Sequence, residues 1–412
     1  MQSDNMSKRI CVVGAGAAGM MAAGVALEYG ASVTIFEHTD RLGKKLAITG
    51  KGRCNVTNDS PIEKLMENVT RNPRFLYSAF NAFSSTDTIT FFENLGVPLK
   101  TERGNRVFPV SDKAIDVVNA LRRYSSGAEI IYKKVKSVVK NDDGTFSVIA
   151  DGEYTFDAVI IATGGKSYPR TGSDGSGYKL AMKLGHTVTP LTPSLIPIES
   201  SSSYCAEMQG LSLKNVAISV KSRDGKLLYS DFGEMMFTHF GVTGPMILSA
   251  SSHLKDYEIN GLTLSIDLKP ALDEKELDRR LLSDFSSSSN KDFVNALSAL
   301  LPSKMILPFV KYTGIPERKK VNSITKEERK RVKDALKNFE ITLSGLRPID
   351  EAIITSGGIQ TKEISPKTME SKLHSGLYFA GEIIDVDAYT GGFNLQIAFS
   401  TAFLAGKSAA EY

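Results

Sequence analysis

Cysteine is scarce: Cys11, Cys54 and Cys205 are the only three in 412 residues. They are far apart, odd in number and form no C-x-x-C pair, which argues against a disulfide framework or a cysteine-rich zinc site and suits a reducing compartment. His38, His186, His253 and His374 show no ligand spacing, so no metal is expected. No apolar run reaches the roughly 18 residues that a membrane-spanning helix needs, and the opening MQSDNMSKRI lacks the apolar core of a signal peptide. The expectation is a cytoplasmic protein with no membrane association, with Met6 as an alternative start because the pattern that follows needs nothing before Lys8. Lys and Arg exceed Asp and Glu by four, so no chain-wide field argues for a nucleic-acid partner.

What is present is globular in character, with 42% hydrophobic and 23% charged residues. A chain of this length is expected to build two or three cores, at about 100 to 200 residues each. RICVVGAGAAGMMAAGVALEYGASVTIFE predicts strand, tight turn, helix and second strand, closed by Glu37. Gly14 permits the turn, Gly16 lets the backbone approach a pyrophosphate, and Gly19 allows the helix to pack on the strand. The helix start, with Ala17 and Ala18, offers unpaired N–H groups to phosphates, and Glu37 is placed for a ribose diol and against a 2′-phosphate. His38 follows as part of the same expected nucleotide site.

Two further segments separate FAD from NAD. Residues 128–165 predict a three-stranded antiparallel meander that feeds an apolar strand, Ala158 to Ala162, ending Thr163-Gly164-Gly165. This resembles two-domain flavoproteins of the glutathione-reductase-like class. Near the C-terminus, Leu377 to Ala380 predicts a buried strand closed by Gly381-Glu382, and Gly391-Gly392 opens a long apolar helix carrying Asn394, Gln396, Ser400 and Thr401. Such a helix start can point its positive end at a flavin. A second G-x-G-x-x-G is missing between residues 150 and 350, since GSDGSG at 172–177 has the wrong spacing. NAD(P)H, the expected electron donor, therefore has no Rossmann domain of its own and must dock over the flavin directly.

RLGKKLAITGKGRCNVTN, ATGGKSYPRTGSDGSGYKLAMKLGHTVTPLTPSLIPI, FTHFGVTGP and GEIIDVDAYTGGFNLQIAFSTAFLAG, with the opening glycine motif, resemble the bacterial YhiN/BaiN-like NAD(P)/FAD-dependent oxidoreductases over nearly the whole chain. The resemblance implies an α/β fold: a Rossmann-like FAD domain (1–190 and 352–412) interrupted by a β-rich insertion (191–269 and 340–351) and a small helical part (270–339). It puts Arg41 and Lys44 or Lys45 near the pyrophosphate, and Arg53, Asn55 and Thr57 along the flavin edge. Val135, Asp385 and Leu395 complete the expected cofactor set with Thr163, Gly164, Gly381, Glu382, Gly391, Gly392 and Asn394. Family chemistries include reduction of conjugated double bonds in 3-oxo bile acids and oxidation of small primary amines such as aminoacetone.

Within the insertion, Thr325 with Glu328 reads as a capping box, and Val332, Ala335, Leu336 and Phe339 form an apolar stripe. The basic run Lys326 to Lys333 reads as a solvated face, and the serines at 286–289 as a helix connection. Cys54 stands alone and is expected to pack rather than to act as a redox thiol. Tyr389, Tyr168 and His239 are the candidate proton donors or carbonyl binders, each also explicable as a packing residue. The function expected is a FAD oxidoreductase using NAD(P)H to reduce an activated C=C bond in a hydrophobic enone, such as a 3-oxo-4,6-diene bile-acid intermediate. The alternatives are an oxidase of a small amine and a flavin-containing protein that binds or modifies tRNA. The expected partner is a small-molecule substrate, and oligomeric state is left open.

Overall fold

The computed structural model describes residues 7–255 and 257–411, so Met6 lies outside the described residues. The chain divides into two units, one running to Ser194 and resuming at Ile349, the other comprising Leu195–Pro348.

The first unit is built on a parallel five-stranded sheet. Its spatial order is Leu377–Phe379, Ala158–Ile161, Arg9–Val13, Ser32–Phe36 and Glu129–Ile131, and every neighbouring pair is parallel. The central strands are continuous apolar runs because both faces are covered; Ala158–Ile161 is buried at all positions. Ser137–Lys140, Phe146–Ile149 and Glu153–Phe156 form the antiparallel meander that the turn residues predict, with Gly144 at positive φ in its first turn. The fold class is therefore the Rossmann-like α/β one with an attached meander.

Helix Ala17–Glu28 is rich in alanine and glycine for reasons of packing rather than propensity. A Cβ at Gly24 would fall 2.2 Å from the Tyr124 ring, and one at Gly406 would fall 2.4 Å from the Ala22 carbonyl oxygen. The terminal helix Phe393–Glu411 thus presses backbone to backbone against the first helix. Its polar residues face protein partners: Gln396 accepts from Thr57 and Thr88 and donates to the Phe83 carbonyl, which also accepts from Ser400. The Thr401 hydroxyl accepts the Gly381 N–H.

The second unit closes six antiparallel strands into a barrel, from Ile198–Ser200 to Phe339–Leu346. Helices Glu274–Ser287, Ser303–Thr313 and Lys326–Lys337 share one apolar core with these strands. The Thr325–Glu328 capping box is present, and Val332, Ala335 and Leu336 are buried. Cations of the basic run are paired across the surface: Arg329 with Asp278, Lys330 with Asp334 and Lys333 with Glu274. The serine connection is shorter than expected. The helix runs through Ser287 because the Ser286 and Ser287 hydroxyls donate back to the Ser283 and Asp284 carbonyls, satisfying the last turn.

Gly406→Ala should drive a methyl into the Ala22 backbone, where no flexible side chain can give way. A loss of about 1–3 kcal/mol, the usual cost of overpacking, is expected in urea unfolding, with little change in the dependence on denaturant.

Candidate nucleotide-binding site

The glycines of the first turn have three separate causes. Gly14 has φ 99°, and a Cβ there would lie 2.7 Å from the Ala162 carbonyl oxygen and 3.0 Å from Thr163 Cα. A Cβ at Gly19 would lie 1.8 Å from the Gly14 carbonyl oxygen. Gly16 is different: among the described residues a Cβ there would meet nothing within 4 Å, so none of them accounts for its small size. Ala17 and Ala18 open the helix, which has neither a side-chain cap nor an acid in its first turn, leaving its dipole uncompensated there.

Glu37 is buried at the end of the second strand, where it accepts from Ala15 N at 2.9 Å and Thr39 N at 2.7 Å. Ionised, it retains further acceptor capacity. His38 lies 3.8 Å from Glu37 and 3.9 Å from Asp174. Arg41 is exposed and Lys44 pairs with Asp40. Lys45 donates to Glu382 at 2.8 Å and Ser167 at 2.7 Å, and Glu382 also accepts the Thr355 N–H at 2.8 Å. This partly buried pair joins the early loop to the exit of the last sheet strand.

The loop from Thr49 to Asn58 is held in left-handed conformations at Gly50, Lys51, Gly52 and Cys54. Strain of this kind, at two non-glycine residues, marks a segment whose shape the surroundings dictate. Arg53 is fixed by Glu102 and Asp112, each at 2.5 Å, and stacks over Phe108 at 4.2 Å. Thr57 is buried and donates to Gln396 at 2.5 Å. Asn55 Oδ1 is buried with no hydrogen-bond partner among the described residues.

The remaining expected residues fall around these two loops or support them. Val135 is buried just ahead of the meander. Thr163 Oγ1 has no hydrogen-bond partner among the described residues, and a Cβ at Gly177 would overlap it at 1.8 Å. Gly164 has φ 72° and lies against Ser173. Gly381, with φ 77°, packs against Ala18, and Gly392 packs against the Thr57 backbone, where a Cβ would come within 2.3 Å. Gly391 has φ 126°. Asp385 is tied to Arg71 and to Asn72. Asn394 spends its amide on the Ala388 and Tyr389 backbone, and Leu395 packs on the core. The structure thus brings the first turn and helix start against the Thr163–Gly164 loop and the Gly381 turn, and the 49–58 loop against the Gly392 turn.

The candidate proton donors sit on separate segments of the chain. Tyr389 is half-buried against the core, with its N–H on the Asn68 carbonyl. Tyr168 is 37% exposed at φ 52°, its backbone held by Asp350 and Thr171. His239 is an exposed residue of the second unit, edge-on to Phe240 at 5.0 Å. Outside the expected set, Ser173 lies against Gly164 and Gly177 against Thr163, and Asp387 is fully buried and accepts from Thr70, Ser194 and Ser356 at 3.0 Å each. The only signal for Ser173 was its place between Gly172 and Gly175, both at positive φ.

Residues 8–408 match the HI0933-like protein Rossmann domain. The chain belongs to this family. A 3-dehydro-bile acid delta(4,6)-reductase of Clostridium scindens is 31% identical over 98% of this chain and 99% of its own. A ribosomal RNA dihydrouridine synthase of Haemophilus influenzae is 30% identical over 96% of this chain and 97% of its own. Among solved structures, a flavocytochrome c3 fumarate reductase has a TM-score of 0.52 at 16% identity, covering 99% of this chain and 78% of that one, a likeness of fold. In this HI0933-like chain, burial pushes the Cys54 thiol up to about 12, with the Thr49 hydrogen bond opposing only in part, and Cys11 and Cys205 are raised by burial as well.

Since the thiolate is the reactive form, native protein at neutral pH should give almost no reaction with a thiol reagent such as DTNB. All three cysteines should react after denaturation. Rapid labelling of Cys54 in the native state would contradict its burial.

Proposed function

We propose that this protein is a FAD-dependent oxidoreductase that reduces a C=C bond conjugated to a carbonyl, with NAD(P)H as electron donor. The observation that carries the reading is the open space at Gly16 at the helix start, where a Cβ would meet nothing within 4 Å among the described residues; separately, the buried Asn55 acceptor has no donor among them. These features fit FAD. The helix N–H groups and the freedom at Gly16 suit a pyrophosphate, Glu37 suits a ribose diol, and Asn55 Oδ1 requires an N–H or O–H of the kind that a flavin ring or ribityl chain presents.

Bound FAD supplies a two-electron relay, so that C=C plus NAD(P)H and a proton becomes CH–CH plus NAD(P)+. The chain's own part is to hold the nucleotide, exclude water and deliver the proton, and Tyr389, two residues ahead of Gly391, is the donor we assign. Tyr168 and His239 are its alternatives.

For the substrate, the bile-acid reductase relative supports a hydrophobic 3-oxo-4,6-diene. The dihydrouridine synthase relative supports a second reading, a uridine of RNA. Both reactions saturate a C=C bond conjugated to a carbonyl, which is why the reaction class is argued ahead of the substrate. The paired cations of helix Lys326–Lys337 weigh toward the small molecule, because an RNA-binding face needs unpaired positive charge.

Purified protein should show a flavin spectrum that bleaches anaerobically with NADH or NADPH and recovers on adding a 3-oxo-4,6-diene steroid. Recovery with uridine-containing RNA instead would move the substrate to the second reading. Peroxide from aminoacetone without nicotinamide would replace the reductase by an oxidase. Gly16→Val should leave apoprotein unfolding nearly unchanged, since the space is open, while reducing FAD retention at least about tenfold through steric exclusion.

A further inference from the structure

Ser173 is an anomaly of the first unit. It is 4% exposed, yet its hydroxyl oxygen has no hydrogen-bond partner among the described residues. A buried hydroxyl without a partner is unfavourable, and native folds rarely keep one without a reason.

Its surroundings suggest the reason. The Ser173 hydroxyl sits beside Gly164, where a Cβ would come 3.0 Å from it. The preceding Gly172 is pressed against the end of the second strand: a Cβ there would lie 2.9 Å from Thr39, 3.5 Å from His38 and 3.8 Å from Glu37. Ser173 is therefore bounded on one side by the Thr163–Gly164 loop and on the other by the segment carrying Glu37. In a dinucleotide fold that acid marks the adenosine end of the cleft. The turn is rigid, since Asp174 accepts the Ser176 N–H at 2.9 Å and is held by Lys134 at 2.6 Å.

We propose that Ser173 is a ligand-binding residue whose hydroxyl hydrogen-bonds the adenosine half of the bound nucleotide. The assignment rests on the FAD reading above. A hydroxyl can donate to an adenine ring nitrogen or accept from a ribose hydroxyl, so it suits this half whichever atom it meets. It also gives the 171–175 turn a binding role.

The test uses full-length protein stripped of cofactor, with ADP and FMN as separate probes of the two halves of FAD. Ser173→Ala should weaken ADP and FAD binding by about fivefold to tenfold, the usual loss for one hydrogen bond, and leave FMN binding unchanged. The apoprotein of this variant should melt no lower than wild type, because the hydroxyl it loses has no partner among the described residues. Unchanged ADP and FAD binding in the variant, or a lower apoprotein melting point, would overturn the assignment. Wild-type protein that binds ADP but not FAD would overturn the FAD reading while leaving an adenosine site at Ser173. Wild-type protein that binds neither would overturn both.

Discussion

The structure depends on backbone meeting backbone at positions where a single methyl group cannot be accommodated. Gly14 on Ala162, Gly19 on Gly14, Gly392 on Thr57 and Gly406 on Ala22 are all of this kind. Each approach joins segments that would otherwise be held apart by side chains, and together they hold the two ends of the first unit against each other. The same packing logic explains why the first helix is made of alanine, glycine and methionine: it is covered almost throughout, and side-chain bulk would lever the terminal helix away.

Charge in the first unit is local. Lys45 with Glu382, Arg53 with Glu102 and Asp112, and Arg71 with Asp385 each tie one loop to another, so cations that could neutralise a phosphate are largely spent on protein carboxylates. An anion at the start of the first helix would then meet backbone N–H groups rather than side-chain cations. That is an economical arrangement for a Rossmann-type site, because backbone donors need no side-chain ordering on binding.

Much of this was legible in the sequence because it is encoded in local pattern. The glycine turn, the meander with its Asn-Asp-Asp-Gly turn and the apolar strand at Ala158 follow from spacing and turn chemistry alone. The barrel closure was not legible, since only short β-rich runs separated by turns are visible and nothing local says that the first and last strands pair. The partners of Arg53 and Lys45 were hidden for a similar reason: a cation in a glycine-rich loop looks available until the carboxylates that the fold brings to it are known. Ser173 was hidden because a serine between glycines reads as a turn, and only burial without a partner sets it apart.

The close backbone contacts join the first sixty residues, the stretch around residue 164 and the last thirty or so, while the Leu195–Pro348 unit lies between them in the chain. A growing chain on the ribosome therefore carries the early half of these contacts through the synthesis of an entire intervening barrel before the other half exists. The early half must wait with its apolar strand edge exposed at Ala158–Ile161, where Leu377–Phe379 will later dock. Order of manufacture thus leaves a window in which this protein is open to mispairing, and that window closes only when Leu377–Phe379 pairs with the waiting edge.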